Sequence, residues 1–319
     1  MVFGAGGRAI YQSVNQGGSL TTPAAVFDAG GAIYLETMIT SSYQDGTANA
    51  VAWVASGNGV TLGAMTQVDG GDWNALDLSS LPTPLTTSMA YDQATGTPWL
   101  VATTYNQTHL FVAPMDGTGT TYVPVNPDSG VQFPAYWVAA TSCSISDGGS
   151  AICFAFVSGS TQHELWGGIF VPVTQQTQTT LFEVAPGDAG PFTGVAMTNL
   201  GNGQITMVAA AESASSTEYT WASYDSIDTA PALTIMDITG GNGDPGVFAW
   251  HNAPVLFYID QSNFPYVEKA LALSGNPAPA FPPDAGVTKY PLGYSDDAGA
   301  IYFGLASTVL SEVQLLKLP

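Results

Sequence analysis

The chain has 319 residues, 45% of them hydrophobic, with 36 glycines and 21 prolines, so it has ample core material and many turns. Four basic residues (Arg8, Lys269, Lys289, Lys317) stand against 25 acidic ones, a formal charge of −21. Four scattered cations cannot form the stripe that displaces phosphate counterions, which excludes nucleic-acid binding, and attraction to anionic membranes fails for the same reason.

The opening segment MVFGAGGRAIYQSV has neither a charged n-region nor a continuous apolar h-region, so it does not read as an export signal. Its GAGGRA is not followed by a helical pattern, which removes the phosphate-loop reading. No apolar run approaches the roughly 18 residues that cross a bilayer, so membrane insertion is not expected.

Beyond this segment the apolar residues alternate with period two, and no amphipathic helix of a dozen residues is found. A hairpin signature recurs: an apolar segment, a tight turn, then a strand rich in aromatic and β-branched residues. The post-turn strands read AIYLETMIT from Ala32, TPWLVATT from Thr97, SAICFAFV from Ser150, QITMVAAA from Gln204, PVLFYID from Pro254 and AIYFGLA from Ala300. Their turn residues are Gly31, Gly96, Gly149, Gly203, Ala253 and Gly299, spaced by 65, 53, 54, 50 and 46 residues. A third strand follows in each unit: ANAVAWVAS, THLFVAP, HELWGGIFVP, EYTWASY, YVEKALAL and EVQLLKL.

Six units of about 50 residues, each with material for four strands, are what a propeller of six blades needs. The last unit stops after its third strand, so RAIYQSV is expected to supply the fourth and to close the ring from the N-terminus. The expected organisation is one all-β domain over 1–319, with blades near 21–81, 82–130, 131–186, 187–240, 241–285 and 286–319 plus 1–20. Two β-sandwich domains are the alternative. The whole chain resembles the six-bladed β-propeller superfamily in this pattern, without a motif of any one family, and such architecture hosts lectins and hydrolases alike.

Cys143 and Cys153 flank SISDGGSAI, which reads as a hairpin. A turn centred on Gly148 sets them directly opposite each other, at disulfide distance. The disulfide implies an oxidising compartment, so a secreted, periplasmic or cell-surface location. A metal site lacks two further ligands nearby, and two free buried thiols are the other alternative.

Propeller sialidases hold a carboxylate with three arginines, and the turn SDDAGAIY (Ser295–Tyr302) resembles their structural Asp-box. This chain has one arginine, Arg8, so neither that chemistry nor the arginine-dependent fucose sites of six-bladed lectins can be built. No G-x-S-x-G elbow serves nucleophilic catalysis. Of the histidines, His251 reads as a turn residue, while His109 and His163 each open a third strand.

A short acidic motif recurs ahead of the inner strands of units three to six: PDSG at Asp128, GDAG at Asp188, GDPG at Asp244 and PDAG at Asp284. On one rim these carboxylates would suit calcium, with Asp188 and Asp244 as ligands, or would accept hydrogen bonds from sugar hydroxyls. Plain turn chemistry explains the same residues. Asp69 and Asp72 make a second cluster, and Trp73 beside them is the candidate for stacking on a sugar. Asn106-Gln107-Thr108 is a glycosylation sequon.

The expected function is therefore a secreted, non-catalytic propeller that presents loops to a glycan or protein partner. A carboxylate- or calcium-assisted hydrolase or lyase at the channel mouth is the enzymatic alternative. A structural surface or filament component that packs on copies of itself is the third.

Overall fold

The computed structural model describes residues 2–6, 9–16, 19–28, 34–42, 49–56, 61–68, 70–106, 109–124, 134–145, 148–159, 163–183, 191–212, 216–225, 231–239, 241–262, 267–275, 278–280, 292–295, 301–306 and 313–318. Among these residues every regular element is a β-strand. The first sheet holds β1 (Val2–Gly6), β2 (Ala9–Ser13) and, beyond the ribbon of β3 (Asn15–Gln16) and β4 (Ser19–Leu20), β5 (Ala24–Asp28). The second is β6 (Tyr34–Ser42), β7 (Asn49–Ser56), β8 (Thr61–Gln67) and β9 (Asn74–Leu76). The third is β10 (Pro84–Tyr91), β11 (Pro98–Thr104), β12 (Leu110–Pro114) and β13 (Thr121–Tyr122). The fourth is β14 (Ala135–Ser144), β15 (Ser150–Ser158), β16 (Leu165–Val171) and β17 (Gln176–Glu183). The fifth is β18 (Phe192–Asn199), β19 (Ile205–Glu212), β20 (Ser216–Tyr224) and β21 (Thr234–Thr239). The sixth is β22 (Gly241–Trp250), β23 (Ala253–Asp260) and β24 (Val267–Ala272), and the seventh β25 (Leu292–Ser295), β26 (Ile301–Ala306) and β27 (Val313–Leu318).

All seven sheets are antiparallel. From the second sheet to the seventh, a sheet stacks face to face on the next over an apolar cluster. Leu100 and Phe111 meet Ala52 and Ala64, Val101 and Val112 meet Phe154 and Phe156, and Val157 meets Met207 and Ala209. Val208 and Tyr219 meet Leu256, and Val255 and Phe257 meet Leu318. A second strand with a sheet on each side is buried on both faces, which explains why SAICFAFV is a continuous apolar run. Fourth strands such as β21 stay largely in solvent.

Serine and threonine also join the sheets through their first strands. Ser142 Oγ accepts from the Tyr91 N–H (3.1 Å) and donates to the Tyr91 carbonyl (2.7 Å). Ser88 Oγ accepts from the Ala140 N–H (2.9 Å), and Asn199 Nδ2 donates to the Ser142 carbonyl (2.8 Å). These first strands have a free backbone edge, and the neighbour's short polar side chains satisfy it.

Two sequence expectations are corrected by the pairing. RAIYQSV does not complete the last blade: Ala9–Ser13 is paired on one side with β1 and on the other with β5, so no edge remains for β27. Only two residues separate Gly6 from its partner Ala9, and so short a connection favours the local hairpin over a distant sheet. The segment from Ala32 is likewise not a post-turn strand. Tyr34–Ser42 is the first strand of its sheet and ANAVAWVAS supplies the second, so Trp53 lies in a second strand rather than a third. The anomalous spacing of 65 residues came from this shift, and the described residues form seven sheets of three or four strands where the repeat predicts six units.

Candidate functional site

Cys143 and Cys153 form a disulfide, with Cα atoms 5.8 Å apart. They are not directly opposite: Cys143 pairs with Ala151, and Cys153 with Thr141. The hairpin closes at Ile145, whose N–H donates to the Gly149 carbonyl, and Gly148 takes the left-handed conformation at φ 82°. That three-residue loop moves the register by two from a turn centred on Gly148.

In each sheet the end where the first strand begins also carries the connection between the second and third strands. At this rim the first strands of the second to sixth sheets depart from regular pairing. One extra residue sits between Leu35 and Thr37, between Ala135 and Trp137, and between Phe192 and Gly194, and the register also shifts between Pro84 and Thr87 and between Asn242 and Gly246. Glu36, Thr86, Tyr136, Thr193 and Asp244 therefore occupy related positions on successive sheets. Bulges of this kind re-aim a side chain and end regular pairing, and they gather at barrel rims and binding sites.

The best described part of the rim lies on the third and fourth sheets. Tyr136 stacks on His163 with ring centroids 5.2 Å apart and an interplanar angle of 15°. Trp137 flanks both, at 5.4 Å from Tyr136 and 6.4 Å from His163. All three side chains are half-buried. Their placement is built from both sides. Thr86 Oγ1 donates to the Tyr136 carbonyl (2.8 Å) from the neighbouring sheet, and Thr86 is itself held by Thr103. The loop bearing His163 is tied down where the Gly159 N–H donates to the Pro134 carbonyl at 2.6 Å. A Cβ on Gly159 would lie 2.9 Å from the Pro134 Cβ, so glycine permits the approach.

The third sheet repeats this loop with different side chains. Tyr105 N–H donates to the Thr83 carbonyl, as Gly159 does to Pro134. Thr104 Oγ1 accepts from the His109 N–H at 3.1 Å, as Ser158 Oγ does from Glu164 at 3.1 Å. His109 thus matches Glu164 in position, one residue beyond His163. Its ring meets Tyr122 edge-on at 5.4 Å, on the fourth strand, whereas His163 meets Tyr136 on the first. Tyr105 and Asn106 are exposed beside them.

Asp128, Asp188, Asp284 and Asp69 lie outside the described residues. Asp244 falls inside β22, within its bulge, rather than ahead of the strand. Trp73 sits by the β8–β9 turn, at the end of the second sheet where β6 finishes, and its Nε1 donates to Gln12 Oε1 at 3.3 Å. Asp72 is exposed. His251 and Asn252 take φ 49° and 60° in the two-residue turn between Trp250 and Ala253, so His251 is a turn residue.

Four of the described aspartates serve their own turns. Asp77 accepts from Ser79, Asp116 from Thr118, Asp92 from Ala94 and Thr95, and Asp260 from Ser262. Asp260 also pairs with Lys269, and these bonds hold its carboxyl down at about 2. Among the described residues no group of three or more His, Cys, Asp or Glu is placed to hold a metal. Sequence reading missed Tyr136 because a bulge leaves no trace in a period-two pattern, and 27 positions of chain separate it from its stacking partner.

The sequence matches no protein-family profile and no curated protein. Solved structures do resemble the fold. AofleA from Arthrobotrys oligospora is similar at 12% identity and a TM-score of 0.56, with 89% of this chain and 88% of that one covered. A Hadza microbial sialidase is similar at 14% identity and a TM-score of 0.55, with 90% of this chain covered. The chain spans 65% of that sialidase's length. A fungal lectin described as a six-bladed β-propeller with a novel fucose recognition mode, that of Aleuria aurantia, aligns at 11% identity and a TM-score of 0.48, over 88% and 90% of the chains. The chain thus resembles the propeller superfamily, and at these identities the likeness is one of fold.

Proposed function

We propose that this chain is an exported, non-catalytic propeller that binds a glycan at the rim where its first strands begin. In this reading the seven sheets form a closed ring, with the first sheet between the last and the second. Contacts of β1 with β25, β26 and β27 on one side and with β6 on the other support the closure.

The observation that carries the reading is the recurring bulge, which puts Glu36, Thr86, Tyr136, Thr193 and Asp244 at related positions on successive sheets. A fixed scaffold with variable rim residues is how a repeat fold recognises a ligand without dedicated catalytic machinery. The described rim on the third and fourth sheets sets aromatic rings beside hydroxyls and the Glu164 carboxylate, groups that pack on a sugar's apolar face and bond its hydroxyls. A sialidase among the fold neighbours acts on a glycan with a related scaffold. The disulfide supports export, because such bonds persist in oxidising compartments.

A glycan array holding neutral and sialylated structures tests the reading. Binding to a defined subset of the neutral glycans is expected. An array without signal, together with a protein partner recovered from the same extracellular material, would replace the glycan with a protein ligand.

A further inference from the structure

The Tyr136–Trp137–His163 cluster deserves a more specific assignment, and it rests on the glycan reading above. Four non-glycine residues have positive φ among the described residues: His163, Gln175, His251 and Asn252. The last two close a two-residue hairpin, and Gln175 ends the four-residue turn after Val171. His163 instead ends a longer loop, at a position where Gly or Asn would adopt φ 48° more easily. A strained residue whose ring then lies flat on a bulged tyrosine marks a place where geometry is held for a purpose beyond folding.

We infer that Tyr136, Trp137 and His163 form a subsite for a neutral hexose, which lays its apolar C–H face on the aromatic cluster. The Nδ1 of His163 is buried without a hydrogen-bond partner among the described residues. An N–H there would be an orphaned donor, so Nε2 is the ring nitrogen left to donate to a hydroxyl. Thr86 acts on the subsite as a positioning residue, since it fixes the Tyr136 carbonyl from the neighbouring sheet.

Electrostatics select a neutral sugar over a sialic acid or uronic acid. The chain carries a formal charge of −21, and its four cations are Arg8, Lys269, Lys289 and Lys317. None of them belongs to the third or fourth sheet. The carboxylates of Asp128 and Asp188 belong to the connections that lead into and out of the fourth sheet. A ligand carboxylate would meet a negative field with no cation to pair it.

Calorimetric titration of the intact protein with methyl glycosides of galactose, glucose and mannose, and with a sialoside, tests the assignment. Binding of at least one neutral glycoside is expected, with the sialoside silent. Tyr136→Ala and His163→Gly should each weaken binding at least tenfold. Glycine at 163 relieves the backbone strain, so a melting temperature at or above that of the parent separates lost binding from lost folding. Thr86→Val should weaken binding less than Tyr136→Ala, with the same sugar preference. If a neutral sugar binds and both Tyr136→Ala and His163→Gly leave its affinity unchanged, the subsite is wrong while the glycan reading stands. Preference for the sialoside overturns the choice of a neutral ligand. No binding by the parent protein to any glycoside, joined to an empty array, removes the glycan reading and the subsite with it.

Discussion

The bond between Cys143 and Cys153 runs diagonally across the fourth sheet, since Cys143 is paired with Ala151 and Cys153 with Thr141. Both cysteines are 2% exposed and pack into the cluster shared with the fifth sheet. The staple therefore joins a first strand to a second strand inside an interface between sheets.

Removing it with the pair Cys143→Ala and Cys153→Ala should lower stability by about 2–3 kcal/mol, the scale expected for so short a closed loop. Urea unfolding of the parent and the double variant, followed by tryptophan fluorescence, measures the loss. A reduced parent protein should unfold near the variant's midpoint.

Ser142 offers a test of how the sheets are joined. Its hydroxyl both accepts from and donates to the Tyr91 backbone on the neighbouring sheet. Ser142→Ala removes both of these bonds and should cost about 1–3 kcal/mol. Val at the same position should do no better, because the loss is polar rather than volumetric. Thermal melts of both variants give the comparison.

Acid stability should report the pair between Asp260 and Lys269. The Lys269 ammonium and Ser262 hold the Asp260 carboxyl below its ordinary range, at about 2. A carboxyl depressed in the folded state contributes stability above its unfolded pKa of about 4 and loses it as the pH falls toward 2. Lys269 is half exposed, which limits the pair to about 0.2–1 kcal/mol. Lys269→Ala should therefore melt slightly lower than the parent at pH 7, and the two curves should converge near pH 2.

Divalent-cation removal separates turn chemistry from a metal site. Asp77, Asp92, Asp116 and Asp260 all accept from groups within their own turns. If Asp128, Asp188 and Asp284 behave alike, treatment with a chelator will leave both the melting temperature and glycan binding unchanged. A fall of several degrees, restored by calcium, would show the acidic connections to be a cation site.

The sequence pattern carried much of this fold and little of its rim. Tight turns before TPWLVATT, SAICFAFV, QITMVAAA, PVLFYID and AIYFGLA located five second strands, because a hairpin turn has a local residue signature. At the N-terminal end that signature misled. AIY at Ala9–Tyr11 lies in a second strand, while the AIY at Ala32–Tyr34 runs into a first strand, and alternation cannot tell the two apart. The disulfide was legible as a pairing but not in its register, which one left-handed glycine, Gly148, decided. Tyr136 and His163 were not legible together, because their contact depends on a bulge, a strained loop and the hydrogen bond from Gly159 to Pro134.

The role of the rim depends on where a ligand sits. Hydrogen–deuterium exchange of the protein with and without the best neutral glycan from the array locates it directly. Protection should appear in peptides covering 134–138 and 159–164, with weaker protection around 84–87 and 104–109. Protection confined to the opposite ends of the third and fourth sheets, at 92–97 and 145–149, would place the ligand elsewhere and contradict this assignment.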